Sequence, residues 1–169
     1  MLIAIFGGSS TGKTTLARAL ADRTGQDARY CGDVVRSAAD QLHLTLDELP
    51  AAEHARIDTE TLDWCANHCT GIVEGRFLDQ VLSPLAKTFC LVEIRADDAV
   101  RADRWANRLE RAQDTNDIAG YDQEDEAFRV RAYGMQVRLS PNFILETSTL
   151  SVDECLERLS AWLSEPKPD

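Results

Sequence analysis

Short apolar runs alternate with longer amphipathic segments along this chain. Residues 2–6 (LIAIF) form an unbroken apolar run, which is typical of a strand buried on both faces, and Gly7 and Gly8 end it. Over residues 13–24 the apolar positions recur at helical spacing instead, and Gly25 is placed to end that helix. The beginning of the chain therefore predicts a buried strand, a glycine-containing turn and a helix.

The same alternation continues to the end of the chain. The pattern predicts further strands that end near residue 31, and at 71–73, 88–94 and 142–147. It predicts further helices that begin at residue 33, and at 51–69, 97–112, 123–134 and from 151 onward. Strands that alternate with helices predict an α/β fold: a five-stranded, mostly parallel sheet with helices on both faces, in three layers.

Several helix starts and one loop can also be predicted. Asp33 is placed to cap the helix that follows it, and the pairs Thr45/Glu48 and Ser151/Glu154 have the spacing of a capping box. The segment 113–125 is polar and contains a glycine, which favours a mobile loop.

Length and composition bound the domain organisation. The chain has 169 residues, 44% of them hydrophobic, which is enough for one compact core. We therefore expect a single domain over residues 1–165 and a disordered tail at 166–169. We expect it to be a monomer or a weak dimer.

Charge and hydropathy restrict the partners. With 29 acidic and 18 basic residues the formal net charge is −11, so a nucleic acid backbone would be repelled over most of the surface. No segment has the ~20 consecutive apolar residues of a membrane span, and the N-terminus does not resemble a signal peptide. We expect a cytoplasmic protein that binds neither nucleic acid nor membranes.

The five cysteines favour reduced thiols. Their number is odd and their spacing is unpaired, unlike a disulfide framework. Cys65, His68 and Cys69 are close in sequence, but no second ligand pair follows at zinc spacing, so packing along one helix is the favoured interpretation.

A phosphate-binding motif lies between the first strand and the first helix. The sequence GGSSTGKT at residues 7–14 has the glycine spacing, the lysine and the threonine of a P-loop. A predicted strand precedes it and a predicted helix follows it, which is the context that this motif requires. Its backbone N–H groups and the helix dipole favour a polyphosphate, and Lys13 adds a positive charge. The predicted nucleotide-binding residues are Gly7, Gly8, Ser9, Ser10, Thr11, Gly12, Lys13, Thr14 and Thr15, with Thr14 as a Mg²⁺ ligand.

Arginines supply candidates for stabilising the transferred phosphoryl group. Residues 101–111 repeat arginine at helical spacing, which is also compatible with a solvated face paired with nearby acids. Because this helix precedes the predicted loop, we predict that Arg104 and Arg108 act with Lys13 in phosphoryl transfer, and that residues 108–124 form a lid.

Four residues follow the ends of the second and third strands, where open parallel sheets bind ligands. Arg36 and Arg76 are candidates to hold an acceptor's phosphate, although each is also compatible with a surface salt bridge. Asp33 and Glu74 are candidates to contact Mg²⁺ or the acceptor; for Asp33 a helix cap is an equal alternative.

With these motifs the chain resembles the nucleoside monophosphate kinases, and most closely the short archaeal-type cytidylate kinases. The resemblance rests on the P-loop, on GDVVRSAADQLHLTLDEL (32–49), IVEGR (72–76) and VRADRWANR (100–108), and on ILETSTLSVDECLERL (144–159). It implies a P-loop kinase fold with acceptor-side helices over about 33–70. It also implies that Arg36 and Arg76 bind the monophosphate, that Arg104 and Arg108 belong to the lid, and that Arg131 in FRVRAYG (128–134) joins the site.

The motifs and the resemblance together predict an enzyme. We expect ATP- and Mg²⁺-dependent phosphoryl transfer to a nucleoside monophosphate, with CMP or dCMP favoured. Two alternatives stay open. One is a P-loop kinase of another small metabolite or antibiotic, and the other is a nucleotide-binding regulatory protein without catalysis.

Overall fold

A five-stranded parallel sheet forms the centre of the protein. The structure is a computed structural model that describes residues 1–107, 117–134 and 136–165. The strands are β1 (Leu2–Phe6), β2 (Ala28–Tyr30), β3 (Gly71–Glu74), β4 (Cys90–Arg95) and β5 (Phe143–Glu146), in the order β2-β3-β1-β4-β5. Each neighbouring pair is parallel. The predicted α/β fold is confirmed, and every pairing in the described sheet is parallel.

Helices cover both faces of this sheet. They are α1 (Lys13–Thr24), α2 (Cys31–Leu42), α3 (Ala51–Asn67), α4 (Leu78–Val81), α5 (Asp98–Ala106), α6 (Ile118–Tyr133) and α7 (Val152–Ser164). None of the helices in the described ranges is long and apolar enough to cross a membrane.

The position of β1 at the centre of the sheet explains why its sequence is apolar throughout. Ile3 and Ile5 point into a core cluster shared with α1 and α7, whereas Leu2, Ala4 and Phe6 point into a second cluster shared with α3 and α4. A strand buried on both faces has no solvent-facing position for a polar residue. Because all strands are parallel, the carboxyl ends of β1, β3 and β4 lie at the same edge of the sheet, and the segments that follow them meet there.

Two helices begin earlier than predicted. α2 begins at Cys31 with Tyr30 at the N-cap, so Asp33 lies in the first turn and does not cap the helix. α6 begins at Ile118, where the Asp117 side chain accepts a hydrogen bond from the Gly120 N–H at 2.8 Å. The predicted loop over 113–125 is therefore wrong from residue 118 onward. Residues 113–116 of that loop, and residues 108–116 of the predicted lid, lie outside the described residues.

The two predicted capping boxes have different outcomes. Ser151 and Glu154 form a reciprocal box at the start of α7, as predicted. Glu48 accepts hydrogen bonds from the Thr45 N–H at 2.9 Å and from its hydroxyl at 2.8 Å, yet α3 begins only at Ala51, with Pro50 at the N-cap. The Thr45/Glu48 pair therefore stabilises a turn before the helix and caps no helix.

Candidate nucleotide and acceptor site

The P-loop connects β1 to α1 and ends in a left-handed N-cap. Gly12 has φ 95° and ψ 6° and immediately precedes Lys13, the first residue of α1. The first N–H groups of α1 have no intrahelical acceptor and carry the positive end of the helix dipole. The Lys13 ammonium is buried and donates to the Gly8 carbonyl at 3.0 Å. This arrangement places N–H groups and one cation where an anion can bind.

Glycine is required at the first position of the loop. A Cβ on Gly7 would lie 2.3 Å from the Ile94 carbonyl oxygen of β4, and the residue has φ +150°. A side chain here would force the loop away from the neighbouring strand.

A buried hydroxyl in the loop also fits a ligand. Ser10 adopts φ 61°, which is uncommon for a residue other than glycine. Its Oγ atom is buried and has no hydrogen-bond partner within the described parts of the chain. Backbone strain together with an unsatisfied buried group is typical of a functional site.

Two arginines of α5 hold the outer side of the P-loop. Arg101 donates through Nε to the Ser9 carbonyl at 2.9 Å. Arg104 donates to the Thr11 carbonyl at 3.2 Å and, next to β5, to the Thr147 carbonyl at 2.9 Å. The structure thus places the Arg104 guanidinium against the loop's carbonyl groups, and Arg108 lies outside the described residues.

A buried carboxylate lies beside the start of α1. Glu74, at the end of β3, is 3% exposed and hydrogen-bonds to Thr14. Burial raises its pKa above the usual range, and the nearby Lys13 ammonium opposes that rise. A threonine hydroxyl and a carboxylate are oxygen donors of the kind that Mg²⁺ prefers, so Thr14 and Glu74 fit a magnesium site.

Asp33 and Arg36 lie on the same side but are paired with each other. The Asp33 carboxylate accepts from Arg36 at 2.5 Å and from Arg18 at 2.8 Å. Both side chains are more than two-fifths exposed. Their charges act on Glu74 in opposite directions, because Asp33 raises the pKa of Glu74 and Arg36 lowers it.

Two cavities flank the P-loop. The first, of about 310 Å³, lies between the loop, α5 and α7. Its lining comprises Ser10, Gly12, Thr15, Leu16, Arg104, Thr147, Leu150, Val152 and Cys155. The second, of about 270 Å³, lies on the other side, between the loop and α6. Its lining comprises Phe6, Gly7, Gly8, Arg76, Phe77, Glu93, Arg101, Asp122, Asp125, Glu126 and Arg129.

Arginines and carboxylates are paired in the second cavity. Arg76 donates to the Tyr121 hydroxyl at 2.9 Å and also to Asp125. Arg129 donates to Asp79 at 2.8 Å and to Gln80 at 2.7 Å. The cavity lining holds three arginines and four carboxylates, so its formal charge is close to balanced.

Arg129, and not the predicted Arg131, reaches this cavity. Arg131 is exposed on the opposite side of α6. Positions 118, 122, 125 and 129 follow each other at spacings of three and four and therefore share one helix face. The helical period would have identified Arg129, had the start of α6 been placed at residue 118.

An aromatic cluster adjoins Arg76 and was not predicted. Phe77 stacks on Phe128 with ring centroids 5.4 Å apart, and Tyr133 lies 5.7 Å from Phe77. The Tyr133 hydroxyl donates to Asp58 of α3 at 2.8 Å, and burial raises the pKa of Asp58. Phe128 and Tyr133 both belong to α6, whereas Phe77 lies about 50 residues earlier, between β3 and α4. The contact of Phe77 with these two rings depends on tertiary packing, so no local pattern reveals it.

Cys65, His68 and Cys69, at the end of α3 and just after it, do not come together in a metal site. Cys65 is buried, Cys69 is exposed, and the His68 ring stacks on Trp64 with its Nδ1 atom 2.7 Å from the Trp64 carbonyl oxygen. In the described portion of the chain, no group of three or more His, Cys, Asp or Glu residues is arranged to hold a metal ion.

Comparisons with known proteins agree with this architecture. The AAA domain family matches residues 3–133, and no curated protein matches the chain by sequence. A shikimate kinase from Bacteroides thetaiotaomicron has a similar structure, with 18% identity, TM-score 0.67, and coverage of 98% of this chain and 99% of that chain. A gluconokinase from Sinorhizobium meliloti also has a similar structure, with 15% identity, TM-score 0.60, and coverage of 95% of this chain and 94% of that chain.

A sugar kinase from a Janibacter species is similar as well, with 18% identity, TM-score 0.63, and coverage of 96% of this chain and 93% of that chain. At such identities the likeness concerns the fold, and it does not single out the cytidylate kinases that the sequence resembles. The match over residues 3–133 shows that the chain belongs to the AAA domain family, and its sheet and P-loop have the P-loop NTPase fold.

Proposed function

We propose that this protein is a P-loop kinase that transfers the γ-phosphoryl group of ATP to a small metabolite. One observation carries the proposal: two separate cavities border the same phosphate-binding loop, one at Ser10 and Gly12 and the other at Gly7 and Gly8. Phosphoryl transfer needs a donor and an acceptor in line, with the phosphates between them. The shikimate kinase, gluconokinase and sugar kinase that share this fold support the same reaction class.

The first cavity suits the nucleoside part of ATP. It is next to Gly12 and Thr15 at the start of α1, and the planar guanidinium of Arg104 forms part of its wall. A guanidinium face can stack on a purine ring. We therefore propose that Arg104 acts in nucleotide binding and in holding the loop, and that Ser10 offers its hydroxyl to the nucleotide.

Lys13, Thr14 and Glu74 are the proposed phosphate and metal contacts. The Thr14 hydroxyl and the Glu74 carboxylate would hold Mg²⁺, which supplies positive charge to the β and γ phosphates. Lys13 supplies a second positive charge at the same phosphates. Asp33 is partly exposed and paired with Arg36, so this proposal treats both residues as acceptor contacts.

The charge of the second cavity favours an acceptor without a phosphate group. The three arginines of its lining, Arg76, Arg101 and Arg129, are each paired with a carboxylate, on Asp125, Asp122 and Asp79 respectively. A phosphate dianion would have to displace these carboxylates and would then lie beside them. Hydroxyl groups can donate hydrogen bonds to the same carboxylates, so a polyhydroxylated metabolite with little negative charge fits the cavity better.

A nucleoside monophosphate is the second candidate acceptor. The aromatic rings of Phe77, Phe128 and Tyr133 adjoin Arg76, so a base and a phosphate would both find a chemically suitable neighbour. This candidate agrees with the resemblance of IVEGR to the acceptor segment of the cytidylate kinases.

An acceptor screen tests the proposal. Purified protein with ATP and Mg²⁺ is assayed for ADP release with sugars, gluconate and shikimate in one set, and with CMP, dCMP, UMP and AMP in another. We expect turnover with a member of the first set, and Lys13→Ala should reduce it about a hundredfold. Turnover confined to the second set would identify the monophosphate kinase. Tight MgATP binding without any product would instead indicate a nucleotide-binding regulatory protein and would overturn the proposal.

A further inference from the structure

Arg101 is a buried cation that contacts two separate parts of the site. Its side chain is only 10% exposed. Nε donates to the Ser9 carbonyl of the P-loop at 2.9 Å, and Nη2 donates to Asp122 of α6 at 2.6 Å. The third nitrogen, Nη1, lies 3.2 Å from the carboxylate of Asp98, whose side chain is 90% exposed.

The contact with Ser9 bears on the direction of the loop's peptide groups. In a chain that turns its N–H groups toward an anion, the carbonyl groups point outward and need donors of their own. Arg101 supplies such a donor at Ser9. A Cβ on Gly8 would lie 3.1 Å from the Nη2 atom of Arg101, so the guanidinium also occupies the space directly behind the loop. Loss of this group would free the Ser9 peptide to rotate.

The contact with Asp122 joins the loop to α6. The same turns of α6 carry Tyr121 and Asp125, which hold Arg76 at the end of β3. Trp105 of α5 packs on Tyr121 with ring centroids 4.6 Å apart, so α5 and α6 are in contact beside the ion pair. A change in the position of α6 would therefore move Asp122 and Asp125 together, one of them bound to Arg101 and the other to Arg76.

We infer that Arg101 is a positioning residue, which keeps the P-loop in its anion-binding conformation and, through Asp122, makes that conformation depend on the position of α6. The inference rests on the proposed nucleotide binding at the P-loop and adds a link to the acceptor side. A ligand that contacts Arg76 changes the environment of α6, and the ion pair between Asp122 and Arg101 carries that change to Ser9. Nucleotide and acceptor binding are therefore energetically coupled.

Four variants test this link. Arg101→Gln removes the positive charge. Arg101→Lys keeps the charge, but an ammonium group cannot donate to Ser9 and Asp122 in one plane as a guanidinium does. Asp122→Asn weakens the ion pair with Arg101. Asp98→Asn is the matched control, because it removes the other carboxylate on the same guanidinium. The measurements are MgADP affinity by titration calorimetry, thermal midpoint, and amide hydrogen exchange of residues 8–12 in the ligand-free protein.

We expect Arg101→Gln to weaken MgADP binding about tenfold and to speed exchange in residues 8–12, and Arg101→Lys to be intermediate. Asp122→Asn should weaken binding about threefold, and in the Arg101→Gln background it should have no further effect. Asp98→Asn should match the wild type in affinity and exchange.

Two results would overturn the inference. One is that Asp122→Asn behaves like Asp98→Asn, and the other is that exchange of residues 8–12 is unchanged in Arg101→Gln. A variant that lowers the thermal midpoint while leaving affinity and loop exchange unchanged would show a role in packing alone. If the wild type binds no MgADP, the proposed function fails, while the exchange measurement still decides whether Arg101 and Asp122 hold the loop.

Discussion

Lys13 is a buried cation in a strongly acidic protein. It is 8% exposed, and the chain carries a formal net charge of −11. Its substitution by alanine should reduce turnover about a hundredfold, because the charge that accumulates on the transferred phosphoryl group loses a fixed cation. The measurement is ADP release with the best acceptor, together with MgADP affinity by titration calorimetry.

Lys87→Ala is the matched control for Lys13→Ala. Lys87 donates to the Cys65 carbonyl at 2.7 Å near the end of α3, where a cation stabilises the helix. Its loss should cost about 1 kcal/mol of unfolding free energy and leave turnover unchanged. Equal loss of activity in both variants would contradict the proposed role of Lys13.

Glu74 gives a prediction in which stability and pH are linked. Burial raises its pKa above the ordinary 4.5, so the unfolded chain loses this proton at lower pH than the folded protein does. As the pH rises through that interval, the unfolded state binds fewer protons and the free energy of unfolding falls. Ionised Glu74 therefore destabilises the ligand-free protein at neutral pH.

Glu74→Gln should remove this cost. Urea unfolding should show the variant gaining stability relative to the wild type between about pH 4 and pH 7, with little relative gain below about pH 4. The same variant should lose Mg²⁺-dependent nucleotide binding, because glutamine is a weaker ligand for the ion. A relative stability that does not change with pH would contradict the assignment of a raised pKa.

Single residues show where sequence reasoning succeeds at the site and where it stops. The P-loop is a contiguous motif, so its position between β1 and α1 is evident from spacing alone. Arg104 lies on a predicted helix, but its contact with the Thr147 carbonyl depends on how α5 meets the end of β5. Pairing of Arg76 with Asp125 depends on the packing of α6 in the same way. Such contacts follow from tertiary structure and leave no signature in the local sequence.

At the level of elements, the two pairs of Ser or Thr with Glu provide an internal comparison. Ser151→Ala should lower the free energy of unfolding by about 1 kcal/mol, because it removes the side chain that accepts from the Glu154 N–H at the start of α7. Thr45→Ala removes a similar pair that caps no helix, so it should cost less than about 0.5 kcal/mol. Thermal unfolding of the two variants measures the difference. Equal losses would show that the pair itself, and not its place at a helix end, provides the stability.

The helices differ in how well their limits can be read from the sequence. α1 and α7 each have an apolar face that packs into one core cluster, and both were predicted near their observed starts. α6 has the polar run DQEDE at residues 122–126, and Ile118 is its one buried residue. The cap at Asp117 and the contact of Tyr121 with Trp105 stabilise the first turns of this helix, and Gly120 does not interrupt them. Helix formation here depends on a tertiary contact that outweighs local propensity.

For the whole molecule, the sheet links the nucleotide site to overall stability. The side chains of β1 enter core clusters on both faces, and β1 leads directly into the P-loop. We therefore expect one cooperative unfolding transition, with the calorimetric and van't Hoff enthalpies equal, as for a single domain. Two separate transitions would contradict the predicted single domain over residues 1–165.

Ligand binding to this loop should then stabilise the entire domain. A ligand that binds only the folded state at a hundred times its dissociation constant adds about 2.7 kcal/mol, which for a chain of this size raises the midpoint by about 5–10 °C. Differential scanning calorimetry with and without MgADP measures the shift, and Lys13→Ala should lose most of it at the same MgADP concentration. Because the P-loop follows the central strand, the whole transition should move to higher temperature without splitting. If MgADP instead broadens the unfolding transition or splits it in two, the nucleotide stabilises only part of the chain.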